Sequence, residues 1–219
     1  MLDAISRTRV LPVVVIDDAA LAVPLAEALA AGGLPTIEIT LRTPAALAAI
    51  SAIRQALPQM LVGAGTVLGV DQLQQAVDAG AQFGVAPGLS EAVVARAHEL
   101  KLPFFPGVMT PGEVERARSA GCNILKFFPA EAAGGLTMLQ ALAGPYSHTG
   151  VKFIPTGGIK RESLAAYLAQ PIVFAVGGSW LAEKKLLAAQ DWPAITALAA
   201  DAARVVEQCF QPVTHGAKP

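Results

Sequence analysis

The sequence has few cysteines, few histidines and few charged side chains. Its two cysteines, Cys122 and Cys209, cannot build a disulfide framework or a cysteine-rich metal site, which fits a reducing compartment. The three histidines show no spacing that pairs them with carboxylates, so metal catalysis is disfavoured. The 16 basic and 17 acidic residues leave a net charge of −1 without a Lys or Arg cluster, so neither a nucleic acid nor a membrane surface is expected as partner.

Long uninterrupted apolar stretches are also absent, although 53% of the residues are hydrophobic. The longest uncharged apolar tract, residues 163–182, contains a proline and a Gly-Gly pair that would interrupt a membrane-spanning helix. The apolar run at residues 10–16 is short for a signal sequence and is followed by two aspartates without a cleavage pattern. We therefore expect a cytoplasmic protein without a membrane span.

Short β-rich apolar runs alternate with helix-like stretches rich in Ala and Leu, a pattern typical of βα units and a parallel sheet. Successive runs start roughly 20 to 30 residues apart, the length of one such unit. Eight units, flanked by helices at residues 1–9 and 192–210, predict a (β/α)8 TIM barrel with an additional N-terminal helix. The eight predicted strands are residues 11–16, 36–41, 61–64, 82–86, 103–105, 123–127, 152–155 and 172–176.

No linker or change of composition divides the chain. We therefore expect a single barrel domain over residues 1–219, with residues 212–219 as a disordered tail. A doubly wound open sheet is the alternative fold. Such a sheet would carry a glycine-rich turn directly after its first strand, where this chain has Asp17 and Asp18 instead, so dinucleotide binding is not expected.

Two charged residues lie in the interior of predicted strands. Strand alternation places Glu38 on one face with Thr36 and Thr40, so that Glu38 points into the barrel. Lys126 is surrounded by apolar residues near the end of the sixth predicted strand. Burial disfavours the charged form of an amine, and a free amine attacks a ketone to form a Schiff base. Two interpretations stay open, a structural ion pair inside the barrel or an acid/base with a nucleophile.

Glycine-containing turns are predicted after several strands. Two of them follow predicted strands seven and eight, where barrels often bind phosphate through backbone N–H groups, although simple turn formation is the alternative. Their sequences are Thr156-Gly157-Gly158 and Gly177-Gly178-Ser179, and a third turn is predicted at Gly63-Ala64-Gly65-Thr66. Arg42 follows the strand of Glu38 and is either a solvated residue or a fork for a carboxylate or phosphate.

Five short motifs occur in order along residues 5 to 210. They are EITLRT (38–43), GAGTVL (63–68), KFFPAE (126–131), PTGGI (155–159) and GGSW (177–180). Together they closely resemble the family of bacterial 2-keto-3-deoxy-6-phosphogluconate (KDPG) and 4-hydroxy-2-oxoglutarate (KHG) aldolases. The resemblance implies a metal-independent class I aldolase without a cofactor, assembled as a homotrimer of (β/α)8 barrels. It implies cleavage of the phosphorylated 2-keto acid KDPG into pyruvate and glyceraldehyde 3-phosphate, a step of the Entner–Doudoroff pathway.

The resemblance also implies roles for single residues. Lys126 would form the Schiff base, and Glu38 would relay protons. Arg42 and Thr66 would hold the pyruvyl carboxylate. The apolar wall beside it would be formed by Pro87 and Phe128.

Phosphate would be taken by Gly157, Gly158 and Ser179, and Thr156, Gly177 and Gly178 complete the expected substrate-binding residues.

The motifs leave the exact substrate open. Met109 and Ala133 depart from the family pattern, and a bulky thioether near the mouth of the barrel would alter the aldehyde side of the pocket. The nearest enzyme alternatives are 2-keto-3-deoxy-6-phosphogalactonate aldolase and 4-hydroxy-2-oxoglutarate aldolase. A different class is a non-catalytic phosphate-binding barrel, which would leave Lys126 and Glu38 without a role.

Overall fold

Parallel strands alternate with helices along residues 2–210, the part of the chain that the computed structural model describes. The strands are β1 (Val10–Val14), β2 (Thr36–Thr40), β3 (Leu61–Gly65), β4 (Phe83–Val85), β5 (Phe104–Phe105), β6 (Gly107–Val108), β7 (Ile124–Phe127), β8 (Lys152–Pro155) and β9 (Val176–Gly178). The helices are α1 (Leu2–Thr8), α2 (Ala22–Ala31), α3 (Ala46–Ala56), α4 (Val70–Asp78), α5 (Glu91–Glu99), α6 (Pro111–Ser119), α7 (Gly135–Ala143), α8 (Leu164–Leu168), α9 (Lys184–Ala188) and α10 (Trp192–Phe210). The N-terminal helix is thus confirmed, whereas the predicted tail at 212–219 lies outside the described residues.

The strands form two parallel sheets. One has the order β5-β4-β3-β2-β1-β9, and the other has the order β6-β7-β8. Single backbone bridges at Phe153–Val173 and Thr156–Gly177 connect the β8 segment to the chain that enters and forms β9. The predicted α/β class with parallel strands is therefore confirmed.

The fifth predicted strand, residues 103–105, appears as β5, and Pro106 separates it from β6, which the prediction did not include. Proline has no N–H to donate to a sheet, so it interrupts the regular pairing. Its carbonyl still accepts the N–H of Lys126 at 2.9 Å. On this side of the fold, Pro106 alone separates the two sheets along the chain.

The last predicted strand and two predicted turns are wrong in detail. The final strand is Val176–Gly178, later than the predicted 172–176, so Gly177 and Gly178 lie in a strand and not in a turn. Gly63 and Gly65 likewise lie within β3. A Cβ on Gly177 would stand 2.1 Å from Thr156 Oγ1, and one on Gly63 would stand 2.2 Å from the Phe83 ring. These glycines are required by the close approach of a neighbouring strand, not by a turn.

Apolar side chains form two clusters. The larger packs the helices onto the outer faces of the strands, and it accounts for the Ala- and Leu-rich helix pattern. The smaller gathers residues from β1, β3, β4, β5 and β8 around Ile5 of α1, and it therefore includes side chains of both sheets. None of the helices within residues 2–210 is long and apolar enough to cross a membrane.

Candidate active site

Glu38 and Lys126 meet in the interior. Glu38 lies on β2 at the level of Gly63, and Lys126 lies on β7 at the level of Gly107 and Ile154. The Lys126 Nζ donates to Glu38 Oε1 at 3.4 Å. Only 1% of Glu38 and 5% of Lys126 is exposed, so water screens the pair very little. The sequence prediction that Glu38 points inward is confirmed.

The absence of a side chain on Gly65 makes room for the Glu38 carboxylate. Thr40 on β2 pairs with Gly65 on β3, so the two strands run side by side at this level. A Cβ on Gly65 would lie 2.1 Å from Oε1 and 2.7 Å from Cγ of Glu38. The lack of a side chain at Gly65 therefore allows the Glu38 carboxylate to occupy this position.

An aromatic ring flanks the amine. Phe128 directly follows β7, and Lys126 Nζ lies 5.2 Å from its ring centroid. A ring face attracts a cation and keeps water away from it. Pro87 approaches the same region, because its carbonyl oxygen would lie 2.1 Å from a Cβ on Gly107, the residue level with Lys126. Phe128 therefore lies beside the amine, and Pro87 lies against the strand next to that of Lys126.

Arg42 and Thr66 follow neighbouring strands. The Nε of Arg42 donates to Thr40 Oγ1 at 3.2 Å, and the Thr40 hydroxyl donates to the carbonyl of Val14 at 2.9 Å. This chain of hydrogen bonds holds the exposed guanidinium at the carboxyl end of β2. Thr66 comes directly after β3 with φ of 57°, a backbone conformation uncommon for a threonine. The two residues therefore lie at adjacent strand ends.

The predicted phosphate residues lie beyond β8 and β9. Gly157 and Gly158 adopt φ of 102° and 79°, which an L side chain rarely allows. Thr156 is buried and faces Gly177 across the bridge between the two segments. Ser179 is exposed, and its side chain makes no capping bond to the short 3₁₀ turn that follows. Its hydroxyl is therefore free of helix capping.

Met109, the departure noted in the sequence, is held at the end of β6. It is 39% exposed, and its N–H donates to Glu113 Oε2 at 2.8 Å. The Thr110 N–H donates to the same oxygen at 2.9 Å, which completes a capping box at the start of α6. Burial alone would raise the pKa of Glu113, but these hydrogen bonds more than offset it and lower the pKa.

Sequence reasoning missed a contact behind the phosphate residues. The Tyr167 hydroxyl donates to Glu131 Oε1 at 2.7 Å, and Glu131 ends the KFFPAE motif. Burial raises the pKa of Tyr167, and the hydrogen bond to Glu131 adds to this effect, so the hydroxyl stays a donor. The motif includes the glutamate, but its hydrogen-bond partner Tyr167 lies 36 residues later and could not be identified from the motif.

A metal site is not found in the described part of the chain. Within residues 2–210, no group of three or more His, Cys, Asp or Glu side chains is placed to hold an ion.

Comparisons with known proteins agree with the motifs. A family model described as KDPG and KHG aldolase matches residues 2–198. The 2-dehydro-3-deoxy-phosphogluconate aldolase of Treponema pallidum is 48% identical, over 93% of this chain and 96% of the relative. A KDPG aldolase structure from Legionella pneumophila, described with pyruvate captured as a covalent carbinolamine, has a TM-score of 0.87 at 40% identity, over 91% of this chain and 96% of that one. The enzyme of Zymomonas mobilis, described with 3-phosphoglycerate, has a TM-score of 0.84 at 44% identity, over 92% and 94%.

Proposed function

The chain belongs to the KDPG and KHG aldolase family, and from this premise we propose that it is a class I aldolase. This lyase cleaves 2-keto-3-deoxy-6-phosphogluconate into pyruvate and glyceraldehyde 3-phosphate, as in the Entner–Doudoroff pathway. The observation that carries the proposal is the buried pair of Lys126 and Glu38. The covalent pyruvate adduct named for the Legionella relative supports the same chemistry here.

The geometry of the pair favours catalysis over a structural ion pair. Among the described residues, Lys126 Nζ has one hydrogen-bond partner, Glu38 Oε1, and the distance of 3.4 Å is long for a charged pair. Burying two charges costs several kcal/mol, which a single long hydrogen bond offsets poorly. A catalytic pair must exchange protons and leave space for the ketone of the substrate, so it does not need the short distance of a structural ion pair.

The reaction follows from these groups. The free amine of Lys126 attacks the C2 ketone, and the carbinolamine loses water to give a protonated imine. The C3–C4 bond then breaks, its electron pair moves into the imine to form a neutral enamine, and a base takes the proton of the C4 hydroxyl. Protonation of the enamine at C3 and hydrolysis of the imine release pyruvate and restore the amine.

Glu38 is the proposed acid and base. Its carboxylate lies within hydrogen-bonding reach of the amine, so it can accept and return protons as the carbinolamine forms and loses water. The same group, directly or through a water molecule, would take the proton of the C4 hydroxyl. Gly65 supports this role because it leaves the volume that the carboxylate occupies.

The remaining predicted residues are proposed to bind the two ends of the substrate. Arg42 and Thr66, at adjacent strand ends, would hold the pyruvyl carboxylate, with Pro87 and Phe128 forming the apolar wall. The phosphate would be bound by backbone N–H groups and one free hydroxyl. We assign this end to Gly157, Gly158 and Ser179, with Thr156, Gly177 and Gly178 kept as predicted contacts.

We further propose that the two sheets form one closed (β/α)8 barrel in a single domain. Pro106 joins β5 to β6 on one side, and the Thr156–Gly177 bridge joins the sheets on the other. The inner cluster around Ile5 includes side chains from both sheets, as the interior of one barrel would. The homotrimer, the cytoplasmic location and the absence of a cofactor stay predictions.

Reduction of the protein with borohydride in the presence of pyruvate tests the function. Borohydride fixes an imine as a stable amine, so we expect a pyruvyl adduct that peptide mass mapping assigns to Lys126. We expect Lys126→Met to fold, to form no adduct and to lose essentially all cleavage. Lys152→Met is the matched control, because Lys152 lies on the neighbouring strand and donates to the Pro171 carbonyl at 2.7 Å. Folded wild-type protein without an adduct would favour the non-catalytic phosphate-binding barrel.

The KHG name in the matching family model makes 4-hydroxy-2-oxoglutarate a second candidate substrate. Both aldolase reactions would use Lys126, but KDPG carries a phosphate group and 4-hydroxy-2-oxoglutarate does not. We expect a higher kcat/KM for the phosphorylated substrate. Comparison with 2-keto-3-deoxy-6-phosphogalactonate measures the stereochemical preference.

A further inference from the structure

The segment after β7 runs alongside the turn after β8. The Ala130 N–H donates to the Thr156 carbonyl at 2.8 Å, and the Glu131 N–H donates to the Gly157 carbonyl at 3.0 Å. These bonds continue the β7–β8 pairing past the ends of both strands. The conformation of the Gly157–Gly158 turn therefore depends on where residues 130 and 131 are held.

The side chain of Glu131 packs directly against this turn. A Cβ on Gly158 would lie 2.8 Å from Cβ and 3.1 Å from Cγ of Glu131. Gly158 has a left-handed backbone and no side chain of its own, so the Glu131 stem occupies the space beside it. A change in the Glu131 rotamer would therefore directly alter the packing against Gly158.

Tyr167 fixes the other end of Glu131. Its ring is 1% exposed and belongs to α8, the helix that follows the turn, and its hydroxyl donates to Glu131 Oε1 at 2.7 Å. A hydrogen bond between a neutral donor and a carboxylate is among the stronger types in proteins. A rigid ring in the core thus restrains a side chain that is otherwise at the surface.

We propose that the hydrogen bond from Tyr167 to Glu131 positions the Gly157–Gly158 turn for the phosphate of the substrate. Neither side chain is a catalytic residue. Their contact holds the turn so that its backbone N–H groups point at the anion before it binds, which lowers the ordering cost of binding. This inference rests on the proposed phosphate site and adds to it a determinant of preference for phosphorylated substrates.

Tyr167→Phe is the direct test, because it removes one hydroxyl and leaves the ring in the core. We expect KM for KDPG to rise about tenfold, which equals about 1.4 kcal/mol, with kcat within about twofold of wild type. The pyruvate concentration for half-maximal borohydride trapping on Lys126 should not change, because pyruvate has no phosphate. The kcat/KM for unphosphorylated 4-hydroxy-2-oxoglutarate should not change either.

Tyr146→Phe is the matched control. Tyr146 is the other tyrosine of the chain, and its hydroxyl donates to Glu115 Oε1 at 3.0 Å on α6. It loses the same type of bond without touching the Gly157–Gly158 turn, so KM should stay at the wild-type value. Glu131→Ala should raise KM at least as much as Tyr167→Phe does, because it removes the side-chain stem beside Gly158 as well as the hydrogen bond. Adding Tyr167→Phe to Glu131→Ala should raise KM no further, because the hydrogen bond is already lost.

Three results separate the possible failures. An unchanged KM for KDPG in folded Tyr167→Phe would overturn the inference. Equal losses with KDPG, pyruvate and the unphosphorylated substrate would also overturn it, since they would indicate a general structural role. If wild-type protein forms the Lys126 adduct but shows no preference for the phosphorylated substrate, the phosphate site itself is wrong, and the inference falls with it.

Discussion

Substitution of Gly65 by alanine tests whether the position of the Glu38 carboxylate is required for catalysis. The added methyl group would stand 2.1 Å from Oε1, 2.7 Å from Cγ and 2.8 Å from Cδ of Glu38, distances that nonbonded atoms do not adopt. Gly65 does not have a left-handed backbone among the described residues, so alanine brings a steric effect without backbone strain. The carboxylate must therefore leave its present position.

The structure sets the size of the expected effect. Glu38 is the proposed proton carrier, and such groups typically contribute about 10²–10⁴-fold to a rate, so we expect kcat of Gly65→Ala to fall by about 10²-fold or more. The cost in stability should be smaller, about 1–3 kcal/mol, because the end of a side chain can rotate away from an added methyl group. The loss of activity should therefore exceed any loss of folded protein.

The assay is cleavage of KDPG, with pyruvate release coupled to lactate dehydrogenase, together with thermal denaturation. Gly69→Ala is the matched control, because Gly69 lies four residues later and a Cβ there meets nothing within 4 Å. We expect this control to match wild type in rate and to lose at most about 1 kcal/mol in stability, because Gly69 is the N-cap of α4, where alanine is less favourable than glycine. Wild-type kcat in folded Gly65→Ala would refute the role given to the Glu38 position.

Two other predictions concern Glu38 and a buried thiol. Glu38→Gln keeps the volume but cannot carry a proton, so turnover should fall by about 10²-fold or more while borohydride still traps a pyruvyl adduct; wild-type turnover would exclude Glu38 as the base. Burial raises the pKa of Cys122 to about 11, so at pH 8 roughly 0.1% of it is thiolate. Iodoacetamide should alkylate it slowly in folded protein, at a rate that rises about tenfold for each unit of pH increase until the pH reaches that pKa, and quickly in urea. Equal labelling of Cys122 and the part-exposed Cys209 in folded protein would contradict this burial.

The sequence predicts most strands because their patterns are local. Thr36, Glu38 and Thr40 alternate with Ile37 and Ile39, and the strand appears at Thr36–Thr40 with Glu38 buried. The split at Pro106 is also a local effect, since proline cannot donate to the sheet, although the prediction did not include β6. Lys126 and Glu38 could be proposed as partners from their chemistry, but the hydrogen bond between them joins residues 88 apart and required the fold.

The last strand was predicted too early in the chain because glycine occurs in two different structural contexts. Glycine serves a turn that needs positive φ, as at Gly157 and Gly158, and it also serves a strand that a neighbour approaches closely, as at Gly177. Both contexts appear in the sequence as the same Gly-Gly pair. Only the neighbouring strand distinguishes them, because the Thr156 side chain takes the space that a Cβ on Gly177 would need.

The same arrangement recurs around the proposed site and explains why glycines mark it. The carboxylate of Glu38 occupies space next to Gly65, and the Thr156 hydroxyl occupies space next to Gly177. In each case a strand has a glycine at the position where a polar group of the neighbouring segment is buried. A substitution at such a glycine should therefore displace the polar group before it unfolds the protein, which separates these positions from glycines required by a turn. Activity and stability measured together on Gly65→Ala decide whether the carboxylate moves before the fold is lost.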